Sequence, residues 1–162
     1  MKNLSFVLLI LVGCAIPAQS PRAIYPAPEQ ASRDLAAALK AAALGHKRIL
    51  LDFGGNWCAD CQVLDLYLHR DQNAMLLEKN FVLVHINIGH YDANLALAAK
   101  YKIPLERGVP ALAVLSEGGK LLYSQRSGEF ESMGRMDPRS VTDFLLEWRP
   151  YREGCSSVVV NC

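Results

Sequence analysis

Short, nearly continuous apolar runs and longer stretches with helical spacing alternate along this chain. The short runs at residues 48–54 and 81–88 are typical of strands that are buried in a sheet. The stretches at 29–44, 58–69 and 73–79 instead place their apolar residues along one side of a helix. Strands that are separated by helices in this way predict an α/β fold.

The second half of the chain predicts an antiparallel strand pair and a last helix. Residues 111–116 and 120–126 are joined by a Glu-Gly-Gly turn, which is the pattern of a β-hairpin. A short helix at 92–101 precedes the hairpin, and the Asp-Pro pair that opens 137–148 is a strong helix start. The whole order predicts a central mixed β-sheet that is flanked by helices on both faces.

The first residues have the pattern of an export signal, which we assign to residues 1–19. Lys2 is followed by an apolar run that is too short to span a bilayer comfortably, and small residues and turn formers come next. The Leu-Val-Gly-Cys sequence at 11–14 resembles the bacterial lipobox, in which Cys14 is lipidated and becomes the first mature residue. Cleavage near Ala18, which would discard Cys14, is the alternative.

The rest of the chain divides into a tether, one domain and a short tail. We expect the proline-containing segment 20–30 to be the tether, 31–150 to be the domain, and 151–162 to be a C-terminal tail. The tail carries Cys155 and Cys162, for which we expect a structural disulfide, with a second redox pair as the alternative.

The formal net charge of the chain is +1. A charge this small gives no reason to expect binding to nucleic acid or electrostatic attraction to a membrane.

Candidate chemistry is concentrated in the sequence Trp57-Cys58-Ala59-Asp60-Cys61, directly after the first predicted strand. A helix that starts on these cysteines places the first sulfur at its positive end, which lowers the cost of a thiolate. Cys58 is therefore the candidate nucleophile and Cys61 the residue that resolves a mixed disulfide. A zinc site would need a second ligand pair, and haem attachment would need histidine where Gln62 stands, so we expect no metal and no cofactor.

These cysteines, the element order and the Gly108-Val109-Pro110 sequence together resemble the thioredoxin superfamily over residues 48–148. More narrowly, the chain resembles the exported thioredoxin-like domains of bacterial thiol–disulfide interchange proteins. The resemblance implies that Pro110 is cis and packs beside the disulfide. It also implies that the backbone of Val109 pairs with the bound substrate chain. Trp57 is expected to shield the thiols and to offer an apolar surface to partners.

Three polar residues near the motif bear on the reaction. Asp52 lies in an otherwise apolar strand, so it should be partly buried, hold its proton more tightly than usual, and be able to accept a proton from the resolving cysteine. The family has an acidic residue at this position. Asp60 adds a negative charge that should disfavour the thiolate and make the dithiol a better reductant. His85 could tune Asp52, but a structural role is the more frequent one for a strand histidine.

The sequence thus predicts an exported, lipid-anchored thiol–disulfide oxidoreductase that mainly reduces disulfides of extracytoplasmic proteins. Its expected partners are protein disulfides and a membrane reductant, and its expected location is the periplasm. Two alternatives stay open: a disulfide oxidase or isomerase, and a binding lipoprotein that uses the fold without catalysis.

Overall fold

The computed structural model describes residues 23–151 and confirms the predicted alternation of helices and strands. The helices and strands in chain order are α1 (Ala31–Gly45), β1 (Arg48–Gly54), α2 (Ala59–Leu68), α3 (Asp71–Asn80), β2 (Phe81–Asn87), α4 (Leu95–Lys100), β3 (Ala111–Leu115), β4 (Leu121–Ser124) and α5 (Arg139–Glu147). Single 3₁₀ turns lie at Pro28–Gln30, Leu105–Arg107 and Met133–Arg135.

The four strands form one mixed sheet in the order β2-β1-β3-β4. The central strand β1 runs parallel to β2 and antiparallel to β3, and β4 completes the sheet as the antiparallel partner of β3. This register sets Asp52 of β1 between His85 of β2 and Leu112 of β3. The only carboxylate of β1 therefore lies in the middle of the sheet.

Helices cover both faces of the sheet, as the sequence predicts. Alternate residues of β1 point to opposite faces, so that Leu50 packs in one core cluster and Leu51 in the other. The cluster that contains Leu50 includes buried residues of α2, α3 and α5, whereas the cluster that contains Leu51 includes those of α1 and α4. The candidate motif lies between these layers, at the end of β1 and the start of α2.

The predicted tether is not a free linker over its described part. Tyr25 is buried to 3 % exposure, and its phenol belongs to the core cluster that α1 covers. The backbone N–H groups of Ile24 and Tyr25 both donate to the side-chain oxygen of Asn56 at 2.9 Å. The domain therefore begins at or before Ile24 and not at residue 31.

Several element ends differ from the prediction for local reasons. Helix α1 runs one residue beyond the predicted 29–44, to Gly45, and His46 takes the left-handed conformation beyond it. The short helix α4 begins at Leu95 and not at Asp92, because Asn94 has a positive φ of 55°. Strand β4 covers only Leu121–Ser124 of the predicted 120–126.

The predicted signal peptide, the lipidation residue Cys14 and the Cys155–Cys162 disulfide lie outside the described residues. Within residues 23–151, the structure contains no helix with the length and apolar character that crossing a membrane requires.

Candidate active site

The two cysteines of the motif lie at the start of α2 and are joined by a disulfide. Cys58 is the N-cap residue of the helix, and its Sγ accepts a hydrogen bond from the backbone N–H of Cys61 at 3.1 Å. Cys61 lies inside the first turn and is fully buried, whereas Cys58 keeps 6 % of its surface exposed. The helix N-terminus and its N–H group thus favour negative charge on the Cys58 sulfur.

The loop before β3 lies against the disulfide. The Val109–Pro110 peptide bond is cis, as the resemblance implies, and the carbonyl oxygen of Val109 lies 3.6 Å from the Sγ of Cys58. Gly108 precedes it with a positive φ of 103°, a conformation that favours glycine. Backbone atoms next to the cis-proline therefore approach the more exposed of the two sulfurs.

Trp57 is part of an exposed aromatic surface beside the disulfide. Its indole is 43 % exposed and donates from Nε1 to the carbonyl oxygen of Gly89 at 2.6 Å. The ring stacks on His90 with 5.5 Å between centroids, and Tyr91 lies at 5.6 Å on a tilted plane. The hydrogen bond fixes the indole while one side of it stays open to a partner.

Asp52 is fully buried, and two donors converge on one of its oxygens. The Tyr25 hydroxyl donates to Oδ2 at 2.7 Å, and Nδ1 of His85 lies 2.9 Å from the same oxygen. Oδ1 has no hydrogen-bond partner among the residues that the structure describes. Burial, and then the charge of Asp52, raise the pKa of Tyr25 well above its usual range, so the phenol remains a donor.

Gly54 explains how these groups come together with Cys61. A Cβ at this position would overlap the Tyr25 hydroxyl and would lie 2.7 Å from the Sγ of Cys61. The phenol and the sulfur therefore occupy the space that a side chain at residue 54 would need. The glycine lets Tyr25 reach past the end of β1 to Asp52.

A second buried carboxylate, Asp65, lies one turn after Cys61 on α2. Its Oδ1 is 3.1 Å from Nδ1 of His69 and 3.8 Å from Nε2 of His85. His85 therefore stands between two buried carboxylates, Asp52 on its own sheet and Asp65 on the helix that carries the cysteines. A structural role is the more frequent one for a strand histidine. In this structure, however, His85 contacts Asp52 directly, with 2.9 Å between Nδ1 and Oδ2.

Asp60 is held in place beside the disulfide. Its Oδ1 accepts a hydrogen bond from the backbone N–H of Gly134 at 2.9 Å, which ties the first turn of α2 to the 3₁₀ turn at Met133–Arg135. The side chain is only partly exposed. Its charge is therefore fixed next to the cysteines and does not move freely in solvent.

The sequence predicts Cys58, Cys61, Asp52 and Pro110 as site residues, and the structure places Tyr25, Asn56 and Asp65, which were not predicted, around them. The adjacent Ile24 and Tyr25 were an available signal, because a solvated tether has no need of two large apolar side chains. Asp65 was also detectable, because it lies four residues after Cys61 and so shares its helix face. Among residues 23–151 no group of three histidine, cysteine or acidic side chains could hold a metal ion.

A disulfide at the N-terminus of the helix that follows a central strand, and that faces a cis-proline, is the arrangement of thioredoxin-fold thiol–disulfide oxidoreductases. The chain is an enzyme of this class. The sequence profile of the family described as Thioredoxin-like matches residues 29–116, and the chain belongs to that family.

Solved structures agree with this membership. A disulphide isomerase from Xylella fastidiosa Temecula1 is 32% identical, with a TM-score of 0.69 over 83% of this chain and 98% of that one. The thioredoxin Deadhead from Drosophila melanogaster is 21% identical, with a TM-score of 0.53 over 74% of this chain and 95% of its own, and shares the fold. No curated protein matches the sequence significantly.

The close packing around Gly54 predicts that a side chain at this position destabilises the protein. We expect Gly54→Ala to lower the free energy of unfolding by about 1–3 kcal/mol, because the new methyl group overlaps Tyr25 and Cys61 in a packed interior. Urea denaturation of the oxidised protein, followed by circular dichroism, measures this.

The matched control for that measurement is Gly118→Ala in the turn between β3 and β4. A Cβ there meets only the hydroxyl of Ser116 at 3.9 Å, so we expect a change within about 0.5 kcal/mol. Equal stability of the two variants would contradict the packing described around Gly54.

Proposed function

We propose that the chain is an exported thiol–disulfide oxidoreductase that mainly reduces disulfides in extracytoplasmic proteins. The observation that carries this proposal is the unequal setting of the two sulfurs. Cys58 is the more exposed and receives an N–H hydrogen bond at a helix N-terminus, whereas Cys61 is fully buried. Such a pair suits one cysteine that attacks and one that resolves.

In the first step the Cys58 thiolate of the reduced enzyme attacks a substrate disulfide. A bond forms between Cys58 and one substrate sulfur, and the other substrate sulfur leaves as a thiolate. The backbone at Val109 lies beside the reacting sulfur, where it would pair with the substrate chain as an added strand. Trp57, with half of its indole exposed, would contact the same partner.

In the second step Cys61 gives its proton to Asp52 and attacks Cys58. The Cys58–Cys61 disulfide forms, the bond to the substrate breaks, and the substrate sulfur leaves and takes a proton from solvent. The enzyme has then lost two electrons to the substrate. A dithiol donor, for which we propose a membrane reductant, returns the enzyme to its reduced form.

Asp60 supports reduction as the main direction. Asp60 lies two residues after Cys58, and its carboxylate is held by the hydrogen bond from Gly134. A nearby negative charge disfavours the thiolate and so makes the reduced form less stable. A less stable dithiol is a stronger reductant.

Export and anchoring are proposed from the first residues of the sequence. The signal-like segment 1–19 supports export to the periplasm, where disulfides persist, and the lipobox-like sequence at 11–14 supports a lipid on Cys14. If Cys14 carries the lipid and Cys58 pairs with Cys61, then Cys155 and Cys162 are the two cysteines left. We propose that they form a structural disulfide.

Disulfide isomerisation is the second candidate function, and the relative from Xylella fastidiosa favours it. That protein is described as a disulphide isomerase and is 32% identical to this chain. An isomerase uses the same attack by Cys58, but another thiolate of the same substrate then displaces Cys58 from the mixed disulfide, so native pairing is restored without net reduction.

We expect Cys58→Ser to abolish insulin reduction with dithiothreitol as donor, because the attacking sulfur is lost. Cys61→Ser should instead accumulate a mixed disulfide with the substrate, visible on non-reducing gels. Recovery of scrambled ribonuclease activity by Cys61→Ser would favour isomerisation. Wild-type insulin reduction by both variants would contradict any catalytic role and favour a binding lipoprotein.

The proposed anchor predicts a specific mature N-terminus. Mass spectrometry of the protein purified from bacterial membranes should show a first residue Cys14 that carries diacylglycerol and an acyl chain. A Cys14→Ser variant serves as the control and should lose the lipid mass. An unmodified start near Gln19 would show simple signal cleavage and contradict the anchor.

A further inference from the structure

We propose that Tyr25 is a positioning residue for the second step, one that leaves only Oδ1 of Asp52 free to take the proton of Cys61. The inference builds on the proposed function, because it concerns the resolving step of the same dithiol reaction. It adds to the active site a residue from the segment before α1, outside the predicted domain.

The active-site loop itself holds Tyr25 in place. The side chain of Asn56 accepts from the backbone N–H groups of Ile24 and Tyr25 at 2.9 Å, and its Nδ2 donates to the carbonyl oxygen of Tyr25 at 2.9 Å. Asn56 immediately precedes Trp57 in the sequence. Three hydrogen bonds from one amide therefore fix the backbone of Tyr25 to the loop that leads into the cysteines.

The hydrogen bonds at Asp52 determine where a proton can be placed. Oδ2 receives the Tyr25 hydroxyl at 2.7 Å and faces His85 Nδ1 at 2.9 Å, so its lone pairs are taken. Oδ1 is buried and has no partner among the described residues. Oδ1 is therefore the oxygen on which a proton binds without breaking an existing hydrogen bond.

Tyr25 and the Cys61 sulfur share the space beside Gly54. A Cβ at Gly54 would overlap the Tyr25 hydroxyl and lie 2.7 Å from the Cys61 Sγ, and Tyr25, Cys61 and Asp52 are all buried. Burial, and then the negative charge of Asp52, keep the pKa of the phenol well above its usual range, so Tyr25 does not accept the proton itself. It holds the carboxylate in place through its hydrogen bond to Oδ2.

The S–H bond of Cys61 breaks and an O–H bond forms on Oδ1 of Asp52. The Cys61 sulfur attacks Cys58, the Cys58–Cys61 bond forms, and the bond from Cys58 to the substrate sulfur breaks. The substrate sulfur leaves with the electron pair of that bond, and the dithiol donor later restores the two electrons.

Other titratable groups face this carboxylate and would respond to pH as well. His85 of β2 contacts Asp52 directly, and Asp65 of α2 lies behind His85 with His69 beside it. On the α1 side, Asp34 lines the same surface cavity as His85. On β3, the neighbour Leu112 is apolar. A variant that changes only the Tyr25 hydroxyl leaves all of these groups in place.

The test is Tyr25→Phe, with Tyr101→Phe as the matched control. Tyr101 is equally buried, at 4 % exposure against 3 %, and belongs to the same core cluster. The pre-reduced proteins, in slight excess, react with 5,5′-dithiobis(2-nitrobenzoate) in a stopped-flow instrument over a range of pH. All proteins carry Cys155→Ser and Cys162→Ser, so that the tail adds no reactive thiols. The first release of coloured thiolate then reports attack by Cys58 and the second reports resolution by Cys61, while Cys61→Ser gives only the first.

Loss of the hydroxyl removes the hydrogen bond that holds Oδ2 of Asp52, so the carboxyl group is less well placed to take the proton of Cys61. We expect the second phase to be about tenfold slower in Tyr25→Phe than in the wild type across the pH range. The first phase should be unchanged, and Tyr101→Phe should match the wild type in both phases.

Three results would overturn the inference. A second phase of Tyr25→Phe that overlays the wild-type profile would show that the hydroxyl has no part in the step. Equal slowing of both phases would show a general structural effect. A wild-type protein that releases no thiolate would overturn the proposed function together with the inference, whereas the first two results leave the proposed function intact.

Discussion

The carboxylate of Asp52, buried in the central strand behind the disulfide, is the constraint on which the rest of the site depends. Removing a carboxylate from water costs several kcal/mol unless charge or hydrogen bonds compensate it. Tyr25 and His85 supply that compensation from two different parts of the chain, and both bind the same oxygen. The site thus depends on contacts between β1, β2 and the segment before α1, which form only in the folded domain.

This constraint accounts for features that otherwise look unrelated. Residue 54 is glycine because the Tyr25 phenol and the Cys61 sulfur fill the space around it. The hydrogen bonds of Asn56 to Ile24 and Tyr25 tie the segment that carries the phenol to the loop that leads into the cysteines. On the proposal that Cys14 carries a lipid, the ten residues to Ile24 reach at most about 35 Å, so the active site would work close to the membrane surface.

The sequence predicted the fold well where burial patterns were strong. Strand β1 was predicted with its observed bounds, because its apolar run is continuous and ends at glycine. The cysteines and the cis-proline were predictable because their spacing and element order are specific. Tyr25 was not, because proline residues around it indicated a tether and its contact with Asp52 joins residues 27 positions apart. Such long-range polar contacts leave no local pattern in the sequence.

The contact between Asp65 and His85 is another long-range polar contact that the sequence does not reveal. Each lies at an inward position of a correctly predicted element, but their approach depends on how α2 packs across the sheet. The charge of Asp60 could be read from the sequence, whereas its hydrogen bond to Gly134 could not, because the two residues lie 74 positions apart. Element order thus located the site, and tertiary packing determined its electrostatics.

The reduction potential of the Cys58–Cys61 pair tests the central claim most directly. Equilibration of the purified protein with glutathione and dithiothreitol buffers, with trapped thiols counted by mass spectrometry, gives this value. The account predicts a potential close to that of reducing thioredoxins, about −270 mV. A value near about −120 mV, as in strong periplasmic oxidants, would contradict it.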